Sequence, residues 1–302
     1  MSDWPSVGVV LPTHDRPRTL RAALSSVLAQ DYPGSIQAVV VHDRSEPDQS
    51  LADGDRVRVI ANTRTPGLAG ARNSGVDALG AELIAFCDDD DEWLPGKLRA
   101  QATALAERPA AEFASCGIVV DFEGRRSVRL AGQDQVTYDD LLRSRMMMVH
   151  SSTYVIRRAA LLDGIGLVDE TIPASQNEDW DLALRAARRH PISHVDQALV
   201  RVAWGSSSYF SQQWETKIAG LLWMLDRHPD IGSCRVGAAR VYAQLSFAYA
   251  CMGRRGEAFR WANRALRCNW HERRVPFAMA VATGLLSGET VLSRLNSRGH
   301  GI

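Results

Sequence analysis

Leu83-Ile84-Ala85-Phe86-Cys87-Asp88-Asp89-Asp90-Asp91-Glu92-Trp93 places five carboxylates directly after an apolar run. A buried strand can end in acids only where it delivers them to an open edge, because an unpaired buried carboxylate is very costly. In open α/β sheets the C-terminal edge is where ligands bind, and hard oxygen donors suit Mg²⁺ or Mn²⁺. If the acids continue as extended chain, Asp88 and Asp90 point one way and Asp89 and Asp91 the other, which favours the first pair as ligands. The competing reading is a solvated acidic loop. Against it, Trp93-Leu94-Pro95 follows at once and opens a helix over Lys97 to Glu107, so the acids form a tight connection.

The chain of 302 residues can bury one large core or two smaller ones. Its 35 basic residues balance 35 acidic ones, which argues against a general nucleic-acid binder and leaves only local patches such as Arg125-Arg126 or Arg254-Arg255. The five cysteines are widely spaced and contain no CxxC, so neither a disulfide framework nor a zinc site is expected. The opening Met1-Ser2-Asp3-Trp4-Pro5 leads straight into a strand, and no run reaches the roughly 18 apolar residues of a membrane span. A cytoplasmic protein, compatible with peripheral attachment to a membrane, is expected.

Val7 to Leu11, Ile36 to Val41 and Val57 to Ile60 read as strands preceding the acid-tipped fourth. Helices are expected over Arg18 to Gln30 and, after the glycine-rich loop Asn62-Thr63-Arg64-Thr65-Pro66-Gly67-Leu68-Ala69-Gly70, from about Ala71 to Leu79. That loop has neither a GxGxxG nor a P-loop lysine, so on its own it is a weak phosphate signal. Alternation of strand and helix predicts a largely parallel sheet with helices on both faces. Its strand ends would bring Thr13 to Asp15, Asp43 to Ser45 and Asp88 to Glu92 to one rim. Further on, strands are expected near Phe113 to Val120, Ser152 to Ile156, Ile192 to Val195 and Leu199 to Val202, and a helix at Tyr138 to Arg143. Ser175 to Arg185 contains a helix whose face is Trp180, Leu184 and Ala187, with Asn177 or Glu178 near the cap. Acids in its first turn suit the helix dipole, and they equally suit catalysis.

Four elements in order resemble the inverting family 2 glycosyltransferases of GT-A fold. They are Val10-Leu11-Pro12-Thr13-His14-Asp15-Arg16, Val39-Val40-Val41-His42-Asp43-Arg44-Ser45, Gly67-Leu68-Ala69-Gly70-Ala71-Arg72-Asn73-Ser74-Gly75 and Phe86 to Pro95. Glu178-Asp179-Trp180-Asp181 is similar to the family's downstream acid pair, and His150-Ser151-Ser152 lies where its acceptor-side loop often is. The resemblance implies nucleotide-sugar contacts from Pro12, Thr13, Asp15, Asp43, Arg72, Asp88 and Asp89. Thr13 and Asp43 would face the base and ribose, and Arg72 the phosphates. A Mn²⁺ or Mg²⁺ ion would be held at a DxD-like site by Asp90 with Asp88. Asp179 would be the general base, with His150, Glu178 and Trp180 on the acceptor side. The donor would be UDP-, dTDP- or GDP-linked, and the acceptor a glycan, a lipid-linked or small molecule, or a peptide. His42-Asp43 replaces the common Asp-Asp, no histidine follows the last strand within Arg201 to Ser206, and Gln212-Gln213-Trp214 is not the QxxRW of processive members, so transfer of one sugar is expected.

These readings divide the chain into residues 1–210, a transferase domain with halves 1–110 and 111–210, and a helical region over 211–302. In that region Ala239 to Trp270 is similar to one tetratricopeptide repeat. A single repeat cannot bury its own apolar face, so it must dock on the transferase domain or on a second subunit, or build part of an acceptor groove. Two other functions compete: a degenerate nucleotide-binding module acting through its helical tail, and a sugar-phosphate nucleotidyltransferase. The latter wants a basic, glycine-rich loop after the first strand, which Pro12 to Arg16 does not supply.

Overall fold

The structure, a computed structural model, describes residues 4–122, 124–204 and 213–296. The expected boundary at 210/211, the residues Gly205 and Ser206, and Gln212 lie outside the described residues.

The first half runs β1 (Val7–Thr13), α1 (Pro17–Leu28), β2 (Ile36–His42), β3 (Val57–Ala61), α2 (Leu68–Asp77), β4 (Leu83–Phe86), β5 (Glu92–Trp93) and α3 (Lys97–Glu107). It continues with β6 (Phe113–Phe122), β7 (Arg125–Arg129), β8 (Gln135–Val136), α4 (Tyr138–Arg143), β9 (Val155–Arg157), α5 (Arg158–Ala160), α6 (Glu178–Arg189) and β10 (Ile192–Trp204). The remainder is helical: α7 (Trp214–Arg227), α8 (Pro229–Ser233), α9 (Arg235–Cys251), α10 (Arg255–Cys268), α11 (Arg274–Ala282) and α12 (Gly288–Asn296).

The sheet order is β3-β2-β1-β4-β9-β6-β10-β5, with β7 on β6 and β8 on β10. β3, β2, β1 and β4 are parallel, as are β6 and β10, while β9 runs antiparallel between β4 and β6. Alternate side chains of the strands enter different cores. Val9, Leu11, Val40 and Ala85 face α1 and α3, whereas Val10, Val39, Val41, Ile84 and Phe86 join the core that includes α2, α6 and the tail helices. Parallel strands buried on both faces explain the uninterrupted apolar runs and the polar residues confined to their ends.

Three expectations are adjusted. α2 begins at Leu68 rather than Ala71 because Gly70 lets the helix start against the Thr65 carbonyl, where any Cβ would collide. The strand expected over Ser152 to Ile156 is a 3₁₀ turn at Ser151–Thr153 followed by β9, since both serine hydroxyls bond the acid turn. The two short strands expected after residue 192 are one strand, β10, whose register shifts fall between Val195 and Val200, where the apolar pattern breaks.

The tail docks on the transferase layer. α9 approaches α4 so closely at Gly237 that a Cβ there would meet the Leu142 carbonyl. Val241, Leu245 and Tyr249 of α9 share a core with Leu141 of α4 and Trp180 of α6. His228, between α7 and α8, bonds Asp181 of α6 through Nε2 at 2.8 Å. Among the described residues no helix is long and apolar enough to cross a membrane.

Candidate active site

The carboxylates after β4 do not continue as extended chain. The Asp91 amide donates to the Asp88 carbonyl at 3.1 Å, closing a turn that brings Asp88 and Asp91, rather than Asp88 and Asp90, to the same side. The alternation expected of Asp88 and Asp90 therefore fails, because it assumed a strand where the chain turns.

Ser152 fixes this turn from outside. Its hydroxyl accepts from the Asp88 amide at 2.9 Å and donates to Asp91 Oδ2 at 2.5 Å, while its amide donates to His150 Nδ1 at 3.3 Å. Its carbonyl accepts from Trp93 Nε1 at 2.9 Å, and the neighbouring Thr153 carbonyl accepts from Gln101 Nε2 of α3 at 2.7 Å. Ser151 Oγ donates to Asp88 Oδ2 at 2.9 Å. Asp88, Asp91 and His150 each offer a ligand atom within 4.8 Å of the other two. Two carboxylates and an imidazole form a donor set that fits a divalent cation such as Mn²⁺. Burial pushes His150 towards the neutral form a ligand requires, against the pull of Asp88 and Asp179. Burial, with the neighbouring charges of Asp88 and Asp90, pushes Asp91 well above the usual carboxylate range.

Asp90 lies outside that group and accepts from Arg16 Nη1 at 2.5 Å. Asp89 is buried, accepting from Thr13 Oγ1 at 2.7 Å and Arg16 Nη1 at 3.3 Å. Thr13 and Asp89 thus lock the end of β1 to the acid turn. Asp15, with φ 54°, projects its carboxylate into solvent, and Pro12 sits within β1 opposite Val41 of β2.

Arg72, which the resemblance set near the phosphates, sits beneath the acid turn. It is only 1% exposed, and its guanidinium donates to Asp88 Oδ1 at 2.5 Å and to Glu178 Oε1. It lies under the rim as the tie between α2, the acid turn and α6, so its charge reaches the site through Asp88. Arg72 and Ser151 overcome the burial penalty on Asp88 and hold its pKa below the ordinary value. Burial instead pushes Glu178 up to about 7, despite Arg72.

Asp179 opens α6 beside it, 5% exposed. Its Oδ1 accepts the Trp180 amide at 2.8 Å and its Oδ2 accepts Arg145 Nη2 at 2.6 Å. Burial opposes ionisation there, but Arg145 outweighs it and the pKa is lowered. The turn leading in is strained, with Ala174, Ser175 and Asn177 all at positive φ. Trp180, expected on the acceptor side, is instead core: it is 4% exposed and donates Nε1 to the Leu141 carbonyl at 3.1 Å. The apolar spacing of α6 already placed it on the buried face.

Asp43 is buried at the end of β2. It accepts from Asn62 Nδ2 at 2.8 Å, the Gly67 amide at 3.0 Å and Arg44 Nε at 2.8 Å, and these donors offset burial to lower its pKa. It lines an open cleft of about 470 Å³ together with His42, Arg44, Asn62, Arg64 and Pro66. His14 Nδ1 bonds the Asp43 carbonyl at 2.8 Å, which links this cleft to the end of β1. Direct contacts therefore run from Asp43 through His14, Thr13 and Asp89 to the acid turn, and from Asp88 through Arg72 to Glu178 and Asp179. Arg16, Arg145, Asn62 and the double role of Ser152 were not assigned from sequence. Arg16 and Ser152 stood within matched motifs, where a signal existed, whereas Arg145 sits in an irregular loop that carries no pattern.

The family model for glycosyl transferase family 2 matches residues 8–164. Over 227 residues the chain is 26% identical to an uncharacterized glycosyltransferase of Rickettsia felis, covering 71% of this chain and 36% of that one. Over 136 residues it is 32% identical to the GalNAc(5)-diNAcBac-PP-undecaprenol beta-1,3-glucosyltransferase of Campylobacter jejuni, covering 43% of each. The chain thus spans less than half the length of these two relatives. The crystal structure of S. aureus TarS 1-349 in complex with UDP-GlcNAc superposes with a TM-score of 0.60 at 18% identity, over 98% of this chain and 92% of that one. The fold is GT-A, and the chain belongs to glycosyl transferase family 2.

Proposed function

We propose that this protein transfers a single sugar from a nucleotide-diphosphate donor to an acceptor hydroxyl, with inversion at the anomeric carbon. The observation that carries the reading is the Arg72 tie, which joins Asp88 of the acid turn to Glu178, next to Asp179, so donor side and base share one rim.

The cleft at Asp43 is the natural seat for the nucleoside, with the Asp43 carboxylate held ionised and oriented by three donors. Uridine is the favoured base, in line with the UDP-sugar bound by TarS. An undecaprenol-diphosphate-linked acceptor, of the kind the Campylobacter jejuni relative's name describes, is the favoured partner class. Asp88, Asp91 and His150 would hold a divalent cation, with Asp90, paired to Arg16, beside them. When bound, the cation supplies Lewis-acid neutralisation of the diphosphate. Asp179 takes the proton of the attacking hydroxyl as the new bond forms opposite the leaving diphosphate. To do so it must first part from Arg145, whose side chain is about half exposed and also donates to Asn177 Oδ1 at 3.2 Å.

Calorimetric titration of UDP, dTDP and GDP, with and without Mn²⁺, tests the donor side; UDP binding strengthened by Mn²⁺ is expected. Absence of binding to all three would favour the binding-module reading. Asp179→Asn should keep UDP affinity within about twofold and lose roughly 10²–10⁴ in transfer rate, the usual worth of a general base. Full transfer by the Asp179→Asn variant would remove the base assignment.

A further inference from the structure

The chain has no net charge, yet Arg254 to Arg274 carries seven arginines against two glutamates, an excess of five positive charges within the helical tail. Arg254 pairs with Glu257 and Arg274 with Glu272, which uses both glutamates. Among the described residues, Arg255, Arg267 and Arg273 have no carboxylate within salt-bridge distance.

The packing of α10 decides which of its side chains reach solvent. Ala258, Ala262 and Ala265 are the buried residues of α10, and Ala262 and Ala265 meet Ala243 of α9 and Val275 of α11. At 100° per residue Arg255, Leu266 and Phe259 fall together on one flank of that buried stripe and Arg267 on the side opposite it, all exposed. Phe259 is 48% and Leu266 41% exposed, and Trp270, just past the helix, is 75% exposed. A soluble helix normally buries its large apolar residues and exposes its small ones. Here three alanines point inward while a phenylalanine and a leucine, flanked by arginines, point outward.

We infer that this face docks on an anionic lipid bilayer, with Phe259, Leu266 and Trp270 entering the headgroup region and Arg255, Arg267 and Arg273 meeting lipid phosphates. Charge complementarity identifies the surface as anionic. The apolar centre, with a tryptophan at its edge, matches the interfacial layer, where large apolar side chains and basic residues are favoured together. The inference stands independently of the reaction proposed above.

The test is co-flotation of the full chain with vesicles of phosphatidylcholine alone or mixed with phosphatidylglycerol, at low and high salt. Binding is expected only with phosphatidylglycerol and should weaken as salt screens the charges. The variant R255E/R267E should lose about 25-fold or more in partitioning, about fivefold for each arginine removed. F259S/W270S should lose binding even at low salt. Circular dichroism confirms that both variants fold; all four side chains are exposed, so little change is expected, and a variant that fails is replaced by R255Q/R267Q or W270S alone. Wild-type chain that stays with the aqueous phase at low salt overturns the inference, as does binding that neither variant alters. It also fails if the wild type elutes as a dimer that F259S/W270S dissociates, or if it retains RNA more tightly than the anionic vesicles.

Discussion

Asp43 and Asp179 stand at opposite ends of the rim, are buried to the same 5% exposure and are both held in the ionised form, yet by different means. Asp43 is gripped by a backbone amide at Gly67, the amide side chain of Asn62 and the guanidinium of Arg44. Two of those donors belong to segments flanking β3 and α2, so they cannot leave without disturbing the sheet edge. Among the described residues, the Asp179 carboxylate has one hydrogen-bond partner from outside its own helix, a half-exposed arginine in the loop after α4. A carboxylate that orients a nucleoside should be immobile in every state, whereas a base must exchange its partner for a substrate proton. The two environments divide along that line.

The link between the two ends is the place where the largest loss is expected. Arg72→Met leaves Asp88 and Glu178 buried side by side without their shared cation, and breaking a buried pair from one side costs about 3–5 kcal/mol. Urea unfolding should register most of that loss at neutral pH. A loss below about 1 kcal/mol would mean that water already solvates both acids and that Arg72 does not unite the rim. Next in size is the grip on Asp43. Asn62→Ala removes the bond to Asp43 and those to the Thr65 carbonyl and Ser74 hydroxyl. A bond to a charged acceptor is worth about 1.5–3 kcal/mol, so stability and UDP affinity should both fall. Because the folded pKa of Asp43 lies below its unfolded value, this stabilisation is present above the unfolded pKa and disappears as pH falls through the folded one. The gap between wild type and Asn62→Ala should therefore narrow in acid, and a constant gap would separate Asn62 from the ionisation of Asp43.

How much of this was legible beforehand depends on what a side chain answers to. β1, β4 and the C-terminal part of β2 could be read because strands buried on both faces leave no room for polar residues, so the polar tips mark the rim. That His14, Asp43 and Asp89 come into contact follows from parallel topology alone. The acid turn could not be read correctly: alternation holds for a strand, and the chain leaves strand geometry at Cys87, one residue before the first acid. Trp180 was legible as core from its spacing, but the motif reading pulled it towards the acceptor. Arg145 left no signal, since it lies in an irregular loop and meets Asp179 only through the tertiary packing of α4 on α6. Ser152 looked like strand because the β-branched and aromatic run Thr153-Tyr154-Val155-Ile156 follows it; its hydroxyl answers to Asp88 and Asp91, more than sixty residues away.

The smallest effect on stability, and the sharpest test of the comparison, belongs to Arg145→Gln. The Arg145 side chain is about half exposed, so solvent screens part of its pair with Asp179 and the loss on unfolding should be smaller than for the two variants above. The effect on titration should be much easier to see. The folded pKa of Asp179 is depressed below its ordinary value by Arg145, against burial, so the ionised carboxylate persists as pH falls and is lost only through that depressed pKa. Without Arg145 the effect of burial is unopposed and the pKa rises. The acid limb of kcat/KM against pH should then move to higher pH, while the plateau rate either holds or rises because the base no longer has to shed a cation. An acid limb that does not move would show that the group titrating in catalysis is not the one Arg145 touches. Asp179 would then be a structural anchor of the same kind as Asp43, and the contrast between the two ends of the rim would fail.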